Sequence, residues 1–417
     1  MIKKLLSQYR GEIIYFLSVY FAPFSGLLSS IIATAFIDPE DLGSLQQILL
    51  IPPYLSLLHL GVFNGLNRNI AFYKAQGNMD KVQKLVNSSW FVAKCVSFIG
   101  FVVASIFAVY TFISDPSIVG RIAVIVLFFM LVVSPYNLHI NTTFRSGQDF
   151  GRLGKIKATE GVSLLVLAFL PAMLGWIGKV IYDSTKPLLG FYLRRRKQPL
   201  PATATYDKKS ILSLIKVGFP LLAGGYIYTV FNITDQSIIT YFLGTESLGI
   251  YNVSRMILIS VPLIPIAIST MLYPRMSAQY AKSKSNKGLR ALYWKSIFLN
   301  ISLLAPISLI IYFSISPMVT WFLPKYISGI PAAEISALTC MTFIFLGPSV
   351  IMGVVRKNIF YILLLAIAVL TYWFWAQSAH DLDLLDIAYM RLKVSSAICI
   401  GVLFYTYYLT SIESFNE

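Results

Sequence analysis

Long apolar runs separated by short charged loops constrain this chain more than any motif does. Twelve runs can be marked, at roughly 13–36, 45–63, 89–113, 119–140, 157–175, 176–193, 213–242, 248–270, 294–315, 332–354, 358–376 and 390–410. About 20 apolar residues in a row span the hydrocarbon of a bilayer as a helix. In lipid the backbone must satisfy its own hydrogen bonds, which leaves the helix as the form for runs of this length. Charged residues make up only 12% of the 417 residues and hydrophobic ones 57%. A soluble domain carries about a quarter charged residues. The expected fold class is therefore all-α and integral to the membrane, with about 12 transmembrane helices.

The loops sort by charge. The N-terminus holds Lys3, Lys4 and Arg10, and the second loop Arg68, Lys74, Lys81 and Lys84. The fourth holds Arg145, Arg152, Lys155 and Lys157, and the sixth Arg194, Arg195, Arg196, Lys197, Lys208 and Lys209. The eighth holds Arg275, Lys282, Lys284, Lys287, Arg290 and Lys295, and the tenth Arg356 and Lys357. The opposite loops carry Asp38, Glu40 and Asp41, then Asp115, Glu246, Asp381, Asp383 and Asp386. Basic residues there are few: Arg121, Lys179, Lys325, with Arg391 and Lys393 near a helix end. Basic loops stay in the cytoplasm, so both termini are expected there. The net charge of +16 is then explained by helix orientation and anionic headgroups, with no nucleic-acid partner. The opening MIKKLLSQYRGE has the charge of a signal peptide, but the run after it is too long and lacks a small-residue cleavage site. It is expected to be retained as the first span.

The chain also echoes itself. Phe36, Glu40, Leu42 and Gly43 recur at one constant offset as Phe242, Glu246, Leu248 and Gly249. Each set opens a helix that ends in a basic tail, which suggests two copies of one bundle. The expected division is an N-terminal six-helix lobe at 1–197, a cytoplasmic linker at 198–212 with Pro199 and Pro201, and a C-terminal six-helix lobe at 213–417.

Ionisable side chains inside apolar runs are the candidate functional residues, because each is costly unless paired or wetted. Asp183 and Lys186 lie three apart on one face of span six. They either neutralise each other or line a polar path. Asp235 and Arg255 sit at similar depth on antiparallel neighbours, as an ion pair or with Arg255 free to meet an anionic substrate. Lys94 is expected to snorkel to the cytoplasmic interface. His59, mid-depth in span two, is either a packing residue or a titrating one. Glu160 is expected near Lys157 at the interface. Prolines interrupt many spans, Pro52, Pro53, Pro135, Pro171 and Pro220 among them, as helices that bend would require. No phosphate-binding loop, metal-ligand spacing or extramembrane acidic pair appears, so neither a cofactor nor a catalytic site is expected. Cys95, Cys340 and Cys399 all lie in apolar runs as small core residues.

The chain resembles Wzx-type O-antigen flippases of the multidrug/oligosaccharidyl-lipid/polysaccharide (MOP) exporter superfamily. The resemblance rests on Gly218-Phe219-Pro220, Asp235, Phe242-Leu243-Gly244, Leu248-Gly249-Ile250-Tyr251, Arg255 and Tyr273-Pro274-Arg275-Met276-Ser277. In the first half it rests on Pro39-Glu40-Asp41-Leu42-Gly43, Asn67-Arg68 and Phe144-Arg145-Ser146-Gly147-Gln148. It implies a MATE-like pair of pseudo-symmetric lobes around a central cavity that opens alternately to either side. It also implies an undecaprenyl-diphosphate-linked oligosaccharide as substrate, a bacterial inner-membrane location, and a polymerase and chain-length regulator as partners. Arg255, Lys186, Lys94 and Arg68 are the cations available for the diphosphate. A drug/cation antiporter of the same fold and a membrane-embedded polymerase are the alternatives. The antiporter would want unpaired acids, and the polymerase a large periplasmic loop.

Overall fold

The computed structural model describes residue 18 and residues 20–114, 117–147, 149–283, 286–355, 357–379 and 381–412. Lys3, Lys4, Arg10, Asp115, Gln148, Lys284 and Arg356, the start of the first expected span and both termini lie outside them, as do the side chains of Pro274 and Lys282. Two compact units divide the chain, Met1–Tyr226 and Ile227–Glu417.

The first unit holds α1 (Phe21–Phe36), α2 (Pro39–Leu49), α3 (Ile51–Leu55), a 3-10 turn (Ser56–His59), α4 (Val62–Ala75), α5 (Met79–Ser114), α6 (Ile118–Ser146), α7 (Phe150–Leu167) and α8 (Leu170–Arg195). α9 (Lys208–Phe242) begins in this unit and ends in the second. The second unit continues with α10 (Gly244–Ile250), α11 (Asn252–Ser260), α12 (Leu263–Ser283), α13 (Arg290–Phe322), α14 (Ile330–Thr342), α15 (Leu346–Val354), α16 (Ile359–Ser378) and α17 (Leu384–Ser411). No strand occurs among the described residues. Among the described residues, eight helical stretches are long and apolar enough to cross a bilayer, and up to ten result when α2–α4 and α7–α8 each count as one bent span. With α1 as a further, shorter apolar helix, this is compatible with the twelve runs of the sequence.

The helices show which solvent they meet. On α16, Ile359, Leu363, Ile367, Leu370 and Phe374 recur every three or four residues, and each is more than half exposed. The opposite stripe, Leu365, Ala368, Tyr372 and Ala376, is buried. A helix that is apolar on its outward face is surrounded by hydrocarbon, not water. The inner seams of the first unit are apolar too. Leu66, Val86, Trp90, Ile140, Phe144 and Leu153 pack together between α4, α5, α6 and α7.

Two spans break where the sequence carries proline. Between spans five and six, α7 and α8 meet at 109° across Ala168–Phe169, and the expected break at 175–178 is also present, inside α8 at Gly175 (φ 56°, ψ −135°). Pro171 sits at the start of α8, where its missing N–H costs nothing. The chain folds back across Gly175, so that a Cβ on Gly178 would lie 2.2 Å from the Leu170 carbonyl oxygen. Span two is likewise bent by 50°. Pro52 and Pro53 shorten α3, and the chain then turns through Leu60 (φ 47°) and Gly61 (φ 77°).

That corner is held by close backbone contact. A Cβ on Gly218 would lie 1.9 Å from the Gly61 carbonyl oxygen, and one on Gly65 would lie 2.1 Å from that of Leu214. Only glycine lets α9 approach α4 this closely. Gly218→Val is expected to lower stability by about 3 kcal/mol through forced separation. Gly225→Ala meets nothing within 4 Å and serves as the control. Thermal unfolding in detergent compares the two, and equal midpoints would remove the close-contact argument.

The segment before α9 is anchored. Gln83 Nε2 donates to the Pro201 carbonyl at 2.8 Å, and Asn87 Oδ1 accepts from the Thr203 N–H at 3.1 Å. Tyr206 packs edge-on against Phe91. Asp207 then accepts from Lys209 N–H and from the Ser210 hydroxyl at 2.6 Å. The Ser210 hydrogen bond holds the Asp207 carboxyl below the usual range.

Candidate functional site

In the first unit, α8 carries the candidates Asp183 and Lys186. Asp183 is buried and pairs with Lys179 at 3.0 Å, a partner the sequence reading had not named. Four residues turn a helix to within about 40° of a full rotation and three to within about 60°, so Lys179 is the better aligned partner. The adjacent Tyr182 hydroxyl lies 3.2 Å from Ser25 Oγ, which ties α8 to α1.

A second charged cluster was not legible as one. Glu160 on α7 and Arg194 on α8 are 5% and 3% exposed and form a direct charge-assisted hydrogen bond. Arg194 had been assigned to a cytoplasmic loop by charge alone. Its other terminal nitrogen donates to Asn137 Oδ1 at 2.8 Å, and Asn137 Nδ2 donates to the Pro187 carbonyl. Lys157 reaches Glu160 at 3.3 Å, as the sequence suggested, although Glu160 is buried. The pair lies on Gly190, where a Cβ would stand within about 3 Å of both guanidinium nitrogens and of Glu160 Oε1. The cluster joins α6, α7 and α8.

His59 ends the 3-10 turn and is buried. Its Nδ1 accepts from the Gly61 N–H at 3.1 Å, and its ring packs on Phe63. The ring lines a cavity of about 330 Å³ together with Pro52, Leu55, Val96, Met130 and Asn141. His139, which sequence reasoning passed over, is fully buried beside Trp90 and bonds Ser89 Oγ at 2.9 Å. Its spacing from Pro135 and Thr142 on the buried face of α6 was the available signal. Lys94 on α5 and Arg68 on α4 are exposed.

In the second unit, Asp235 on α9 is 1% exposed. It accepts from the Tyr251 hydroxyl at 2.8 Å and from the Gln236 N–H at 2.9 Å. The carboxylate that the sequence set opposite Arg255 is capped by a phenol. Tyr251 is one turn before Arg255 and its phenol reaches the carboxylate, while Arg255 donates to Asn252 Oδ1. The nearby positive charge is Arg391 on α17, 1% exposed, which the sequence reading had placed near a helix end. It donates to the Phe231 carbonyl at 2.6 Å and to Asn232 Oδ1 at 3.0 Å, with its guanidinium 4.0 Å above the Phe231 ring. The charges of Asp235 and Arg391 both act on the Tyr251 and Tyr372 hydroxyls. Tyr372 in turn donates to the Ile387 carbonyl and links α16 to α17. The signal for Arg391 was its face, since it shares the buried stripe of Ile387, Val394 and Ile398. No group of three or more His, Cys, Asp or Glu among the described residues could hold a metal ion.

Comparison with known proteins adds a family and a fold. The family model described as "Polysaccharide biosynthesis protein" matches residues 9–280. No curated protein sequence matches the chain. Among solved structures, an inward-facing multidrug resistance MATE family transporter of the MOP superfamily aligns with a TM-score of 0.73 at 12% identity, covering 93% of this chain and 94% of that one. A MOP superfamily transporter from Pyrococcus furiosus aligns at 0.68 and 12% identity, covering 96% and 94%. The lipid II flippase MurJ, in an inward closed conformation, aligns at 0.65 and 14% identity, covering 95% and 86%. At these identities the likeness establishes a MATE-like fold.

Proposed function

The chain belongs to the polysaccharide biosynthesis protein family, and from that premise we propose that it is a flippase for a lipid-linked oligosaccharide. One observation carries this reading. A member of a biosynthetic family has, among its described residues, eight to ten apolar spans and a MATE-like fold. A biosynthetic step that a membrane carrier can perform is moving an intermediate from one leaflet to the other. A diphosphate and a hydrated glycan cannot cross hydrocarbon unaided, because each charge or unpaired polar group costs several kcal/mol there.

The proposed substrate is a short O-antigen-type repeat unit on undecaprenyl diphosphate. It is carried from the cytoplasmic to the periplasmic leaflet of a bacterial inner membrane by alternating access, with both termini in the cytoplasm. A polymerase and a chain-length regulator would act downstream. Arg255 and Lys186, neither fully buried, are the proposed diphosphate contacts, with the exposed Lys94 and Arg68 as further cations. The acids support this over cation antiport. Asp183 is neutralised by Lys179, and Glu160 by Arg194 and Lys157. An antiporter needs acids available to a cation.

The test is complementation of a deletion strain. Surface glycan, the sidedness of the lipid-linked precursor and drug tolerance are measured together. The flippase reading expects precursor trapped on the cytoplasmic face in the deletion strain and glycan restored by this chain. Normal glycan with altered drug tolerance would replace it with the antiporter. In the same strain, Arg255→Ala and Lys186→Ala should insert normally and cut export at least about tenfold, the cost of one charge-assisted contact. Full export by both variants would remove the cations from the mechanism.

A further inference from the structure

We infer that the cavity beside His59 is a binding site for the hydroxyl end of an uncharged apolar chain. The argument lies within the first unit and is independent of the flippase reading.

The tautomer of His59 is set by the bend in span two. After the prolines Pro52 and Pro53, the chain turns through Leu60 and Gly61 in left-handed conformation. This turn aims the Gly61 N–H at His59 Nδ1, 3.1 Å away. A backbone N–H can only donate, so Nδ1 presents its lone pair. The neutral ring therefore carries its hydrogen on Nε2. Nε2 is on the opposite edge of the ring and meets no acceptor among the described residues, although His59 is only 7% exposed. A donor without a protein acceptor, on a largely buried ring at a cavity wall, points to a ligand.

The walls define the ligand. The lining contains no Asp, Glu, Lys or Arg and is mostly aliphatic, with Leu55, Val96, Met130 and Leu131 among its side chains. Two of its polar side chains are already engaged. The Ser56 hydroxyl donates to the Pro53 carbonyl, and both ends of the Asn137 amide are bonded. Asn141 Oδ1 is a buried acceptor without a partner in the same lining. A hydroxyl oxygen can accept from the His59 Nε2–H and still donate its own hydrogen. A cation does not fit. To coordinate it, Nε2 would have to surrender its hydrogen to Nδ1, where it would oppose the Gly61 N–H. A volume of about 330 Å³ is at the lower end for small-molecule pockets and suits the end of a chain.

Two kinds of molecule share this chemistry, a polyprenyl alcohol and a membrane diacylglycerol. The experiment uses the purified full chain in detergent with a diazirine-bearing dodecan-1-ol, its oxygen-free dodecane counterpart, and mass mapping of the labelled residues. Labelling by the alcohol should fall on residues 96–100 and 130–141 and exceed that by the alkane about tenfold, the worth of one buried hydrogen bond. His59→Asn keeps an acceptor near the Nδ1 position for Gly61 but has no donor at Nε2. It should fold as the parent and lose that tenfold preference. His59→Gln keeps a donor near Nε2 and should retain most of it. Val96→Trp, which fills the cavity and leaves the His59 side chain in place, should abolish labelling. Competition by the polyprenyl alcohol or by the diacylglycerol identifies the source. Equal labelling by alcohol and alkane, an unchanged preference in His59→Asn, or competition by neither lipid would each overturn the site. Loss of export in the deletion strain has no bearing on these readings, so the two proposals fail separately.

Discussion

Glu160→Leu is expected to destabilise the first unit by about 3–5 kcal/mol, the usual cost of breaking a buried ion pair from one side. The direction follows from counting charges. Glu160 is the one acid between Arg194 and Lys157, so its removal leaves two cations side by side with nothing between them. Arg194 is the more buried cation, and it would keep only the Asn137 carbonyl oxygen as acceptor. Arg194→Met is expected to cost less. Lys157 remains 3.3 Å from Glu160, so the acid keeps a counter-ion that is itself partly exposed to solvent. The double variant Glu160→Leu/Arg194→Met restores neutrality at the cluster and should recover most of the loss. Thermal unfolding of the four proteins in one detergent forms a double-mutant cycle. Additive losses, with no recovery in the double variant, would mean that the pair is incidental and that the helices are held by packing alone.

The same cluster shows where sequence reading worked and where it stopped. The fold class was legible because lipid as solvent demands long apolar helices, and nothing in 417 residues offers another use for runs such as 358–376. Loop charge gave each span a side, but it treats every Lys and Arg as lying outside the membrane. Arg194 and Arg391 were misplaced for that reason. Each lies near a helix end in sequence, yet each is turned inward by the face it occupies. Reading face before depth would have found Arg391 on the stripe of Ile387, Val394 and Ile398. Pairing was less legible still. Asp235 is met by Tyr251, and Asp183 by a lysine one turn back, because side-chain reach and helix rotation decide among near neighbours. The break at Gly175 was legible from the glycine itself, while the earlier interruption at Ala168–Phe169 carries no glycine and was missed. The tautomer of His59 depends on the positive φ of Gly61, which no periodicity in the sequence reports.

Arg391→Met should be the most damaging single change in the second unit, again at about 3–5 kcal/mol. Arg391 spans two acceptors on α9, the Phe231 carbonyl and Asn232 Oδ1, and stacks on the Phe231 ring between them. One planar guanidinium does all three at once, which a lysine ammonium cannot. Arg391→Lys should therefore recover the charge but only part of the stability. Removing the cation also strands Asp235, left with the Tyr251 hydroxyl and the Gln236 N–H and with no positive charge acting on the same tyrosines from α17. Asp235→Asn should be milder, because Arg391 keeps both of its acceptors and its aromatic face. Asp235→Asn added to Arg391→Met should then win back part of the loss, since the site becomes neutral even though the Phe231 carbonyl stays unpaired. The order Asp235→Asn, then Arg391→Lys, then the double variant, then Arg391→Met is a ranking that unfolding midpoints can check. If Arg391→Met unfolded no earlier than Asp235→Asn, the buried charge would be a passenger, and α9 would be fixed to α17 by its apolar neighbours.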